Sequence, residues 1–282
     1  MKALAYLALA FFGLQSCQDS ATAMLEDADF SDTENEVLIS EMEEECGRPG
    51  HFEFAEELRG PNCGDWKEKL PECAIVTESG DAYPKTITIE FGDDCEGRHG
   101  RKRSGKMTIV VSDDMKNSGA TRTVTFERFG IEGHSMKGTK VITNKGTNAD
   151  GHYVFERRVT MEGTGRKGSF TRVSEGEIEW IAGFDTEDCY DNIVSVTGSS
   201  STSNEDGEII RTRNIIEPVV RNFNCKHPVA GIVEMTSDKG NAQIDFGTGS
   251  CDNKAVVTKD DVETEIDLDK RRENRGKRRP RK

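Results

Sequence analysis

The stretch Tyr83-Pro84-Lys85-Thr86-Ile87-Thr88-Ile89-Glu90-Phe91-Gly92 sets Ile87, Ile89 and Phe91 in alternation with Thr86, Thr88 and Glu90. A period of two in β-branched and aromatic residues puts one set of side chains on each face of an extended strand. The pattern continues outward from there. Met107, Ile109 and Val111 follow, then Val124 with Phe126, Tyr153 with Phe155, Ile178 with Trp180 and Ala182, Val194 with Val196, and the run over 262–268. Turn signals separate the runs at Asn117-Ser118-Gly119, Lys145-Gly146, Asp150-Gly151, Gly163-Thr164-Gly165, Asp206-Gly207 and Lys239-Gly240. No helix of useful length is expected after Leu70. About ten to twelve short antiparallel strands follow from this spacing, one face apolar and the other rich in Thr, Glu, Lys and Arg. The expected fold is mainly β: an antiparallel meander, curled or folded over to cover its apolar face, with a short helical segment before it and disordered ends.

The two ends of the β region repeat one another. Cys73 precedes the strand ending Ile89-Glu90-Phe91-Gly92, and Cys95 follows it. Cys225 precedes the strand ending Ile244-Asp245-Phe246-Gly247, and Cys251 follows that one. This has the form of an internal duplication or of one local device used twice, and it suggests a disulfide in each unit. Closing a loop of twenty to thirty residues stabilises by about 3 kcal/mol in the chain-entropy model. Cys46 and Cys63 flank the expected helical segment and form the next candidate pair, which leaves Cys189. Cysteines buried as free thiols are the alternative to each pairing.

Ahead of this region the composition changes. Residues 3–14 are an apolar run behind Lys2, and Leu14-Gln15-Ser16-Cys17 closes it. Twelve residues rise only about 18 Å as a helix, short of a bilayer core of roughly 30 Å, so the run reads as a signal and not an anchor. The tetrapeptide resembles the lipobox of bacterial lipoproteins, in which the Cys carries a diacylglycerol and becomes the new N-terminus; cleavage elsewhere with Cys17 incidental is the alternative. Residues 18–60 hold fourteen acidic residues against Arg48 and Arg59, while residues 269–282 hold nine basic residues against Asp269 and Glu273. The expected organisation is a signal peptide over 1–16, a lipid-anchored acidic tether over 17–72, a β domain over 73–268 and a basic disordered tail over 269–282. Short helices are expected over 37–45 and 52–58.

The Tyr83–Gly92 stretch, the later Gly100-Arg101-Lys102-Arg103-Ser104-Gly105-Lys106 and Gly138-Thr139-Lys140-Val141-Ile142-Thr143-Asn144, and Phe246-Gly247-Thr248-Gly249-Ser250-Cys251-Asp252-Asn253-Lys254-Ala255 resemble a family of uncharacterised lipoproteins of Bacteroidota. The resemblance spans about residues 73–268. It implies an envelope lipoprotein with a β-rich body and carries over no catalytic residues.

Enzyme signatures are scarce. The chain has no Gly-x-Ser-x-Gly elbow, no His-Glu-x-x-His, and no glycine-rich phosphate loop ending in Lys-Ser or Lys-Thr. Cys225-x-His227 is too small a ligand set for zinc on its own. Asp93-Asp94 and Glu205-Asp206 read as turn chemistry before calcium ligands. Neither a metal nor another cofactor is expected, and no catalytic residue is nominated.

The basic loop Arg98-His99-Gly100-Arg101-Lys102-Arg103, with Lys106 at the next strand, is the candidate anion site, because guanidinium forks suit phosphates and carboxylates. A solvated hairpin kept polar is the alternative. Trp66 and Tyr190 are candidate sugar platforms, whereas Trp180 has the inward parity of a core residue. The expected partners are the membrane, through the lipid on Cys17, and an anionic glycan or lipid headgroup; nucleic acid is not one of them. The oligomeric state stays open, as does the face of the outer membrane on which the protein sits. A lipid-anchored, non-enzymatic binding or scaffolding protein is the leading expectation. A lipid-handling chaperone with an apolar trough is its rival, and a glycan hydrolase comes third.

Overall fold

A computed structural model describes residues 67, 70–97, 102–131, 134–165, 168–184, 186 and 188–268. The expected signal, Cys17, the acidic tether with its short helices, Cys46, Cys63, Trp66, Arg98, Arg101 and the basic tail lie outside the described residues.

Thirteen strands form one antiparallel sheet in sequence order. They are β1 (Ile75–Glu78), β2 (Lys85–Glu96), β3 (Lys102–Val111), β4 (Thr121–Ile131), β5 (His134–Thr147), β6 (Tyr153–Gly165) and β7 (Gly168–Ala182). After a 3-10 turn at Cys189–Asp191 come β8 (Ile193–Ser203), β9 (Ile209–Asn222), β10 (Ala230–Ser237), β11 (Gly240–Thr248), β12 (Lys254–Lys259) and β13 (Val262–Asp267). The mainly β meander read from the sequence is the fold, with more strands than expected, and longer ones. β5 and β9 run for 14 residues each and β7 for 15. Each strand pairs with the next because short turns leave it no other neighbour.

Two of those turns use the same device. Asn148 Oδ1 accepts hydrogen bonds from the amides of Asp150 at 3.1 Å and His152 at 3.0 Å, and Gly151 takes the left-handed φ of +82°. Asn204 Oδ1 accepts in the same way from Asp206 at 3.1 Å and Glu208 at 2.9 Å, with Gly207 at φ +83°. An Asn side chain standing in for a backbone acceptor, followed by Asp-Gly, thus closes both the β5–β6 and β8–β9 hairpins.

Two expected turns are strand instead. Lys145-Gly146 lies inside β5 as a register shift between Asn144 and Thr147. Asn144 holds it by accepting the Gly146 amide at 2.6 Å and donating to the Met115 carbonyl at 2.7 Å. Gly163-Thr164-Gly165 pairs with Phe170, Ser169 and Gly168 as the end of β6. Asp93-Asp94, read as a turn, is also strand, at a register shift in β2.

One face of the sheet carries the core. Ile89, Phe91, Met107, Ile109, Val124, Phe126, Phe129, Met136, Phe155, Met161, Ile178 and Trp180 are all buried and form one cluster. A flat single sheet leaves such a face half wet, so the sheet must bend. Register shifts interrupt the pairing of β2 with β3, β3 with β4, β4 with β5, β7 with β8, and β8, β9 and β10 in turn. Bulges of this kind kink a strand and increase its twist. Two disulfides staple the sheet: Cys73–Cys95, with Cα atoms 5.6 Å apart, at its first edge, and Cys225–Cys251, at 5.4 Å, between the β9–β10 and β11–β12 connections. Both pairs are those expected. Cys95 falls within β2 and not in a turn after it, because β2 runs on to Glu96.

Candidate functional site

Residues directly opposite on paired strands share a face of the sheet. Three neighbouring rungs cross β4 to β9 on the core face, as the registers show. The first runs Arg122, Ile142, Arg157, Gly176, Gly198. The second runs Val124, Lys140, Val159, Ser174, Ser200, Arg213. The third runs Phe126, Gly138, Met161, Arg172, Thr202, Arg211. Successive rungs lie about 7 Å apart, two residues along a strand.

Six basic side chains and no Asp or Glu occupy these rungs. Four of them are withdrawn from water: Lys140 is 1% exposed, Arg172 2%, Arg122 4% and Arg211 6%. Arg157 and Arg213 are half-buried. Arg172 donates from Nη1 to Thr202 Oγ1 at 3.1 Å, and Arg157 from Nη2 to Ser174 Oγ at 3.2 Å. These two acceptors are hydroxyls, which orient a guanidinium. All six basic residues, Arg122, Lys140, Arg157, Arg172, Arg211 and Arg213, are engaged in further contacts. Arg122 Nε and Nη1 and Ser200 Oγ are nonetheless buried with no hydrogen bond to those three atoms. A charge moved out of water costs several kcal/mol unless an opposite charge meets it. The inner face thus gathers six basic groups beside buried aromatic and methionine side chains.

Composition did not reveal these residues, although their phase in the sequence is a usable signal. Arg122 has the parity of Val124 and Phe126, Lys140 that of Met136 and Ile142, and Arg172 that of Phe170, Ile178 and Trp180. A cation in the apolar phase of a strand faces the core side of the sheet.

The expected anion loop is divided by the fold. Lys102 points outward and pairs with Asp94 at 2.9 Å, and Lys106, also outward, pairs with Glu127 at 3.0 Å. Such solvated pairs contribute little to stability, and each occupies the ammonium with a carboxylate. Arg103 stands opposite Cys95 and Ile131, two residues of the core, so it belongs to the inner face.

Trp180 is core, as its parity predicts, and its Nε1 donates to Asn192 Oδ1 at 3.0 Å. Tyr190 lies in the 3-10 turn and is 60% exposed. Cys225 is consumed by its disulfide, so Cys225-x-His227 has no thiolate to offer a metal.

The outer face mixes charges, with one acidic spot. Glu156, Glu175 and Glu177 surround a shallow dent floored by Gly176 and Gly198, and Arg158 donates to Glu156 at 2.8 Å. Glu175 and Glu177 are solvated, and no aromatic ring lines the dent. Farther along the same face His152 and Asn148 meet Glu179 Oε1 at 2.7 and 2.8 Å. The hydrogen bond with His152, joined by that from Asn148, holds the Glu179 carboxyl below its usual pKa. This contact ties the β5–β6 turn to β7.

Compared with protein-family models, with curated proteins and with solved structures, the chain finds no match in any of the three.

Proposed function

We propose that this chain is a lipid-anchored envelope protein, attached to the outer membrane through Cys17, that binds an anionic envelope component without transforming it. The observation that carries the binding reading is the set of six basic groups on the three inner rungs, with no acidic residue among them. The two disulfides favour an oxidising compartment outside the cytosol, in keeping with the signal-like start of the chain. The membership in the Bacteroidota lipoprotein family, proposed on the motifs quoted above, fits the same address.

The chaperone reading is favoured by one observation of its own. Phe126, Met161, Phe155 and Trp180 of the packed core adjoin the basic rungs on the same face, so an acyl chain that entered where this core opens would lie beside an anionic head. A soluble amphiphile with one acyl chain and a phosphate head separates the two versions. Titration calorimetry with lysophosphatidylglycerol is expected to show binding that weakens about tenfold or more between 50 mM and 500 mM salt, as Coulombic attraction is screened. The variant Arg172→Gln with Arg211→Gln is expected to lose it. If an acidic oligosaccharide binds equally well and the acyl chain adds nothing, the glycan version stands; if neither anion binds, the function is wrong. Radiolabelled palmitate incorporation should vanish in Cys17→Ala, and retained label would remove the anchor.

A further inference from the structure

The two disulfides differ in what surrounds their sulfurs. Cys95 is 1% exposed and belongs to the core cluster, so its pair is open to solvent only at Cys73. Cys251 is exposed in the β11–β12 connection, and its partner Cys225 is half-buried in the β9–β10 connection. Thiol–disulfide exchange is fastest where the attacked sulfur is accessible and the departing thiolate is stabilised. We propose that Cys225–Cys251 is a thiol–disulfide exchange site, opened by a small or protein-borne dithiol while Cys73–Cys95 stays closed.

Charges beside the sulfurs set the direction of attack. Lys226 and His227 follow Cys225, whereas Asp252 follows Cys251. A cation beside a thiolate lowers its pKa and an anion raises it, so Cys225 is the better leaving group. The thiolate of the dithiol attacks Cys251 Sγ and forms a mixed disulfide. The bond between the two Sγ atoms breaks, and Cys225 leaves with the electron pair and takes up a proton. The second thiol of the reductant, as thiolate, then attacks its own partner sulfur and releases Cys251, which is protonated in turn. The protein disulfide has gained two electrons and two protons, and the dithiol has become a disulfide. At Cys73–Cys95 the departing thiolate would be Cys95, stranded in an apolar cluster that disfavours charge. Asp94 and Glu96 stand close to it in the chain, and Arg103 across the ladder offsets only part of this.

The fold gives the opening a consequence. The disulfide joins the connection before β10 to the connection after β11, where the Gly249 amide also donates to the Val229 carbonyl at 2.7 Å. Among the described residues, β10 to β13 contribute none to the core cluster. Reduction thus removes a covalent tie from strands that the core does not hold, and loosens them while β2 to β8 stay in place.

No ligand enters the test, so its outcome is separate from that of the anion-binding reading. The folded full chain is incubated with dithiothreitol and pulsed with a maleimide at intervals, and peptide mapping follows each cysteine. Cys225 and Cys251 are expected to be reduced at a rate about tenfold or more above that of Cys73 and Cys95. Equal rates, earlier reduction of Cys73–Cys95, or no reduction of either pair would overturn the proposal. A thioredoxin-like dithiol with its resolving cysteine changed to Ser traps the mixed disulfide, expected at Cys251; trapping at Cys73 would equally overturn it. Lys226→Gln with His227→Gln, checked for its sheet by circular dichroism, is expected to slow reduction of Cys225–Cys251 about threefold and to leave Cys73–Cys95 unchanged. Hydrogen exchange in the reduced protein is expected to rise in β10 to β13; a rise that begins in β5 to β8 would contradict the loosening.

Discussion

Single buried polar groups show how closely this sheet depends on side-chain pairing. Trp180 fills the core near Phe155, Phe184 and Phe223, with ring centroids 6.4, 5.1 and 6.3 Å away. Its indole N–H would be an orphan there without Asn192, itself only 3% exposed. Burying an unsatisfied donor costs about 1–3 kcal/mol. Asn192→Ala is therefore expected to lower the unfolding free energy by about that amount with no change of fold, as read from urea titration. A loss within error would show that another acceptor replaces Oδ1. Trp180 was legible from its position between Ile178 and Ala182. Asn192 was not, because an Asn beside a turn is ordinarily wet, and only the approach of β7 to the segment after the 3-10 turn puts it inside.

Strands of this length stay bent because glycine recurs where neighbouring backbones come closest. A Cβ on Gly198 would run into the Glu175 carbonyl oxygen and the Gly176 Cα across the β7–β8 ladder. A Cβ on Gly138 would meet the Thr160 carbonyl and the Met161 Cα in the same way on β6. Both glycines sit on the inner rungs, where the neighbouring backbone leaves no room for a side chain. Gly198→Ala is expected to cost about 1–3 kcal/mol, the usual penalty of overpacking, while Ser199→Ala on the outer side costs less than about 0.5 kcal/mol. Equal melting temperatures for the two variants would contradict this account of the bend. The runs of alternation that marked the strands were readable, but Lys145-Gly146 and Gly163-Thr164-Gly165 look like turns to any local rule. Whether a glycine ends a strand or bends it depends on the neighbouring strand, which local sequence does not specify.

Across the whole molecule, the meander has β1 and β13 at its edges; one disulfide ties the segment before β1 to the end of β2, and the other joins the β9–β10 connection to the β11–β12 connection. The two close loops with sequence separations of 22 and 26 residues, each worth about 3 kcal/mol in the chain-entropy model. Cys73→Ser with Cys95→Ser is expected to lower stability by about that much and to raise hydrogen exchange first in β1 and β2, leaving β5 to β8 protected. Uniform loss of protection would mean that the sheet unfolds as one unit. The pairing was legible because the same spacing occurs twice around Ile-x-Phe-Gly, and a repeated local device implies a repeated local contact.

The sequence alone indicated the class of this fold and a meander and suggested two of the disulfides, because alternation, turn residues and cysteine spacing are properties of neighbouring residues. It left the charge of the inner face undecided. Arg122, Lys140, Arg157, Arg172, Arg211 and Arg213 are scattered over ninety residues and five strands, and each alone reads as a polar position. Only the tertiary register brings them onto three adjacent rungs, since a one-residue slip in any strand would turn its cation to the solvent. Burial then gives them their meaning: a charge that is cheap in water must, on the inner face, find its contacts within the protein.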